Sequence, residues 1–147
     1  MYITVQEFKD YHDARANDYT ILDTDSKITS AILKASDWLN NKSWMGERTD
    51  PTQTDAFPRD YLWYDNNQLD DNTTPTQIKN ACAELALIQA TQEMYQDFSG
   101  DEVKREKVSS LEVEYKDGSN RGVQPIFGAV QALINPFVIS TNCVMRK

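Results

Sequence analysis

The sequence predicts a mainly α fold: a small helical bundle around a long central helix at about 77–98, with a β-hairpin at about 103–116 and a C-terminal helix. Three observations predict it. The stretch 77–98, QIKNACAELALIQATQEMYQDF, is apolar on most sides: Ile78, Cys82 and Leu85 mark one face, and Ala83, Ala86, Leu87, Ala90 and Met94 nearly the opposite one. A helix of that kind is surrounded by other elements, and its alanines let them approach closely. Residues 25–40 place Ile28, Ala31, Ile32, Ala35, Trp38 and Leu39 at the spacing of one helical face, the cleanest amphipathic pattern in the chain. Leu111, Val113 and Tyr115 alternate with Glu112, Glu114 and Lys116, the period of a strand covered on one face.

The remaining elements follow in order. Thr4 and Glu7 have capping-box spacing, so a short first helix should run over about 5–15 with Phe8 and Tyr11 on one face. Residues 17–23 read as a loop, and Thr24 or Asp25 caps the second helix, which Asn40-Asn41 ends. Residues 43–74 have no sustained period and hold two of the three tryptophans. Trp44-Met45-Gly46 reads as a turn with an aromatic anchor. Pro58 biases Phe57 to an extended backbone, and 65–74 is polar and turn-rich. A loop this long is functional or packed by its own side chains. Thr73, Thr74 or Thr76 caps the central helix beside Pro75, and Ser99-Gly100 stops it. Residues 103–108 pair with 111–115 across Ser109-Ser110. Pro125 opens a last helix with Phe127, Val130, Leu133 and Ile134 on one side, and Asn135-Pro136 closes it. The expected organisation is a helical domain at 1–136 and a C-terminal arm at 137–147, FVISTNCVMRK.

The totals bound the function. A chain of 147 residues suggests one domain with a real core. A net charge of −8 argues against a protein that grips nucleic acid over much of its surface. It does not exclude one that surrounds DNA without holding it. No apolar run approaches the ~20 residues of a membrane span, and MYITVQEFKD lacks the order of a signal peptide, so a soluble protein inside the cell that makes it is expected. Cys82 reads as a small buried apolar residue and Cys143 lies in the tail, so no disulfide framework is expected.

Little in the sequence points to catalysis. His12 is the single histidine and, beside Asp10 and Asp13, is expected at the surface. No metal set, nucleophile–base set or phosphate-cradling glycine pattern is present, so no cofactor and no enzymatic activity are expected. Asp23-Thr24-Asp25 begins like a calcium loop but lacks its Gly and closing Glu, and helix capping accounts for it. Lys104, Arg105 and Lys107 interleave with Glu102 and Glu106, the look of a solvated strand. Trp44, Phe57, Trp63 and Tyr64 either wedge the long loop onto the helices or stack bases. The first is favoured, because Arg48 and Arg59 are the basic residues that accompany them.

The order of these features resembles a known family. Tyr2-Ile3-Thr4-Val5 leads a helix, and Ala35-Ser36-Asp37-Trp38-Leu39 is followed by Trp44, Gly46 and Arg48. Gln53 then precedes Phe57-Pro58-Arg59, and Pro75 precedes Ile78-Lys79-Asn80-Ala81 and Glu84-Leu85-Ala86. With Val103-Lys104, Lys107-Val108 and 111–115, this is similar to the head–tail connector (adaptor) family of tailed bacteriophages, relatives of which are also labelled DnaT-like single-stranded DNA-binding. The likeness spans about 2–136; Phe57 stands where Trp is usual, and 60–74 is distinctive.

The resemblance implies a structural protein of the virion, made in the bacterial host cytoplasm and located at the head–tail junction. Its copies form a ring of about a dozen under the portal protein, extend the DNA channel and present a surface to a tail, stopper or nozzle protein. Genomic DNA passes through without specific binding, and no membrane is involved. Subunit contacts are expected at Trp44, Arg48, Phe57, Arg59, Trp63, Tyr64, Lys104, Lys107, Leu111, Val113 and Tyr115. The portal-binding arm is expected at Phe137, Val138, Ile139, Val144, Met145, Arg146 and Lys147, and its deletion is expected to leave the fold intact. The alternative is a single-stranded DNA-binding replication module.

Overall fold

The computed structural model describes residues 1–91, 105–108, 111–114 and 127–139. The chain divides into two units, Met1–Glu93 with Ile126–Lys147, and Met94–Pro125.

The first unit is the helical bundle. Thr4 caps α1, Val5–Asp13: its hydroxyl accepts from the Glu7 amide at 3.2 Å, and the Glu7 carboxylate accepts from the Thr4 amide at 2.7 Å. That is the capping box the spacing predicts, and such caps stabilise by ~1 kcal/mol. The helix stops at Asp13, two residues short of the expected end, and the chain turns through Ala16 at a φ of 52°. α2, Asp25–Asn40, starts at Thr24, whose hydroxyl accepts from the Lys27 amide at 3.3 Å. All six residues of its predicted apolar face are buried. α3, Thr76–Thr91, starts on the Pro75 carbonyl, which accepts from the amides of Ile78 and Lys79. Ile78, Cys82 and Leu85 are buried on one side and Ala83 and Ala86 on the other, because α1, α2 and α4 all pack on this helix; Leu87 and Ala90 of the second face are only half-buried, and Met94 lies outside the described residues. The predicted continuation to 98 and the Ser99-Gly100 stop lie outside the described residues.

α4 covers Gly128–Ile134, with Val130 and Ile134 buried against α3. Asn135-Pro136 closes α4 as expected, with Asn135 as its C-cap, and a 3₁₀ turn, Asn135–Phe137, follows, with proline in its first turn, where no amide is required. This turn corrects the boundary of the expected arm. Phe137 is fully buried, and 137–139 lies antiparallel to 43–45: the Met45 amide donates to Phe137 O at 2.8 Å, the Ile139 amide to Ser43 O at 2.9 Å, and Trp44 bridges Val138. Three residues assigned to the arm are thus part of the domain. Val144, Met145, Arg146 and Lys147 lie outside the described residues.

His12 is a second correction. It is fully buried, with Nε2 3.1 Å from the Ala83 carbonyl and Nδ1 3.0 Å from the Asn17 amide nitrogen. Those partners fit a neutral ring that donates from Nε2 and accepts at Nδ1. Phe8, Tyr11 and Tyr19 pack edge-on or tilted around it. Desolvation lowers its pKa below the usual 6.5, against the Ala83 carbonyl and Glu84, which favour the cation. The unfolded chain therefore binds this proton more readily than the folded one, and stability rises with pH through that interval. Urea midpoints should be flat from pH 8 to about 6.5 and fall below it. His12→Gln should remove that slope between pH 5 and 7.

The second unit contributes a ribbon. β5, Arg105–Val108, pairs antiparallel with β6, Leu111–Glu114, in the register Arg105 to Glu114, Glu106 to Val113, Lys107 to Glu112 and Val108 to Leu111. This is the hairpin that the alternation predicts.

Candidate functional site

Residues 43–74 are not an unstructured loop. Two short ribbons organise them: β1, Glu47–Arg48, pairs with β2, Arg59–Asp60, and β3, Trp63–Tyr64, pairs with β4, Asn67–Gln68. The Phe57–Pro58 peptide bond is cis. Gly46 takes a φ of +71°, and a Cβ there would meet the Asp60 carbonyl oxygen at 2.3 Å, so only glycine permits this approach of backbone to backbone.

The loop aromatics divide into two sets. Trp44 and Phe57 are buried, with ring centroids 4.9 Å apart, and the Trp44 indole donates to Leu39 O at 2.8 Å. Tyr2 joins them: its hydroxyl donates to Asn40 Oδ1 and accepts from the Ala56 amide, and burial pushes its pKa up. These rings are the wedge that holds the loop on the helices, and their burial takes Trp44 and Phe57 away from any surface. Arg59 serves the same end. Its guanidinium donates to the carbonyls of Met45, Gly46 and Ala56, and burial lowers its pKa. Arg48 is exposed and donates to Gln53 O.

The second set projects outward. Asp65 and Asn66 have φ of 51° and 61°, both in the left-handed region, as a two-residue type I′ hairpin turn requires. The turn is readable in retrospect: Asp and Asn tolerate that region best among non-glycine residues. The hairpin is fixed at its base by buried Leu62, whose carbonyl accepts from the Leu69 amide at 2.9 Å. Tyr61, just before that base, is 68% exposed, and beyond it Trp63 is 55% and Tyr64 39% exposed. Tyr61 also has a φ of 58°, a strained conformation for a bulky residue, of a kind that clusters at functional sites. Tyr64 lies on Phe137, centroids 5.6 Å apart, which ties the hairpin to the 3₁₀ turn.

The charges around this hairpin are one-sided. From residue 60 to 78 the chain has Asp60, Asp65, Asp70 and Asp71 and no Lys or Arg. Residues 1–91 carry 15 Asp and Glu against 8 Lys and Arg, so nearly all of the net −8 sits there. Seven of those eight cations already have partners within the chain. Lys9, Lys27 and Lys79 pair with Asp25, Asp23 and Glu7. Arg15 and Lys42 lie 3.6 Å over the rings of Tyr11 and Trp38, and Arg48 and Arg59 hold carbonyls.

Other candidate chemistry closes on itself. A cleft of about 310 Å³ is lined by Ile3, Glu7, Tyr11 and Lys79. Its Lys79–Glu7 pair is 3.0 Å long, and Tyr11 donates to Glu84 at 2.8 Å with its hydroxyl pushed up to about 12 by burial and that carboxylate. Cys82 sits 3.7 Å from the Ser36 hydroxyl, and burial raises its thiol to about 11, far from a reactive thiolate. Among the described residues no three His, Cys, Asp or Glu converge on a metal position. Of the other expected contact residues, Lys107 lies on β5 and Leu111 and Val113 on β6, while Lys104 and Tyr115 fall outside the described residues.

No curated protein and no solved structure matches the chain. A family does match, over residues 1–147, and its description, "Putative DnaT-like ssDNA binding protein", agrees with the second label of the resemblance and names neither head, portal nor tail. The chain belongs to this DnaT-like family.

Proposed function

We propose that this protein is a structural assembly subunit, a phage head–tail connector, and that its aromatic hairpin binds protein. The observation that carries this reading is the exposure of Tyr61 and Trp63 within a stretch that has four carboxylates and no cation. Platforms that stack single-stranded bases place their aromatics along a positively charged groove. Here the neighbouring arginines are occupied with carbonyls, and phosphate would meet repulsion. Exposed Trp and Tyr are what protein interfaces use as anchors. The proposed partners are copies of this chain in a ring of about a dozen, the portal protein, and a tail, stopper or nozzle protein. An acidic ring lets DNA pass without holding it. The site of action is then the head–tail junction of a virion assembled in the host cytoplasm.

The test is cryo-electron microscopy and native mass measurement of the protein mixed with portal. Rings on the portal are expected, and Trp63→Ala should weaken their formation ~30-fold, as loss of a hot-spot anchor does. A second reading, single-stranded DNA binding, is favoured by the family description and by the same two rings. It requires oligonucleotide binding that quenches Trp63 fluorescence and weakens steeply with salt. Such binding, with no ring on the portal, replaces the connector reading.

A further inference from the structure

The ribbon of the second unit sorts its charges by strand. Alternate positions of a strand share a face. In the observed register, residues 105, 107, 112 and 114 therefore lie on one face, and 106, 108, 111 and 113 on the other. On the first face β5 carries Arg105 and Lys107, both basic, and β6 carries Glu112 and Glu114, both acidic. The register thus sets two basic positions opposite two acidic ones, and opposite charges at such cross-strand positions are worth ~0.2–1 kcal/mol each. Two strands alone are marginally stable. Among the described residues each strand has one hydrogen-bonded neighbour, so on this face the ribbon has one basic edge and one acidic edge, while Glu106 of β5 belongs to the other face.

We propose that these edges pair between copies of this chain. The acidic β6 of one copy takes the basic β5 of the next as an antiparallel strand, with Glu112 opposite Lys107 and Glu114 opposite Arg105 of the next copy. In an antiparallel sheet a residue that exchanges hydrogen bonds with one neighbour faces the other without them, so the same residues serve both contacts. The charges then run plus, minus, plus, minus around the assembly. Pairing β5 with β5, or β6 with β6, sets like charges opposite each other and is disfavoured. A two-fold dimer through equal edges is thus selected against, and the head-to-tail contact that remains propagates from copy to copy, as a ring requires. This inference rests on the ring of the connector reading and names the surface that joins its subunits.

The test exchanges the signs. The quadruple variant R105E/K107E/E112K/E114K keeps every pair within the ribbon and reverses both edges. It is mixed with isotope-labelled wild type in the presence of portal and weighed by native mass spectrometry. Each chain is expected to form rings, with rings of a single type at least ~10-fold above random mixing, since like charges meet at every mixed contact. Free mixing overturns the inference and leaves the connector reading standing; an absence of rings from both chains removes the two together. A quadruple variant that forms no ring where wild type does also overturns it. A second measurement does not depend on that variant. A mixture of E112C and K107C chains should yield at least ~10-fold more disulfide-linked pairs than either chain alone, because the two positions meet between copies. No excess overturns the pairing.

Discussion

Gly46→Ala should destabilise the first unit by at least ~3 kcal/mol, a large share of the ~5–15 kcal/mol that holds a domain of this kind folded. Two effects add. Alanine pays ~1–2 kcal/mol to occupy a left-handed conformation, and φ here is +71°. Its Cβ would then stand 2.3 Å from the Asp60 backbone oxygen, an atom that cannot swing aside. The Arg59 clamp on the Met45 and Gly46 carbonyls and the pairing of β1 with β2 both depend on that approach. The urea midpoint should fall sharply with the slope of the transition preserved. Gly128→Ala is the control. A Cβ there has nothing within 4 Å, and the residue opens α4, so the change should be neutral or stabilising by up to ~1 kcal/mol. Equal losses at the two glycines would refute the account of Gly46.

Phe137→Ala should cost ~3–5 kcal/mol, the usual range for a fully buried phenylalanine. A chain ending at Pro136 should lose more, because the pairing of 137–139 with 43–45 goes as well. Tyr64 would also lose the ring it stacks on, so the hairpin should loosen, which faster amide exchange at Asn67 and Leu69 would report. A truncation at Pro136 that melts like the full chain would contradict the placement of Phe137 in the core. To separate folding from portal binding, the cut belongs after Ile139.

Much of the bundle is legible in the sequence because its cause is local. The face of α2 is written at helical spacing from Ile28 to Leu39, and the apolar residues on both sides of α3 announce a helix with neighbours all round. What escaped depends on distant partners. His12 is beside two aspartates in sequence, yet the Ala83 carbonyl, 71 positions away, accepts its hydrogen bond. Phe137 heads a stretch whose apolar then basic composition suits an arm, and the open backbone at 43–45 decides otherwise. The aromatics of 44–64 have similar local surroundings. Trp44 is separated from Trp63 by the Leu39 carbonyl within reach of one indole, and by the turn at Asp65-Asn66 that lifts the other away. The residue types of that turn suit the left-handed region, but they sit in a polar run whose composition is that of a loop.

The pairing of Trp44 with Val138 has a consequence for how the protein is made. One edge of the core is supplied early in synthesis and its complement about ninety residues later. At ~5–20 residues per second, the first helices emerge several seconds before the residue that completes their packing. A nascent chain stalled before position 137 leaves the 43–45 backbone without its partner strand and Tyr64 without the ring it stacks on. Folding of this edge therefore waits on residues made well after the helices it joins.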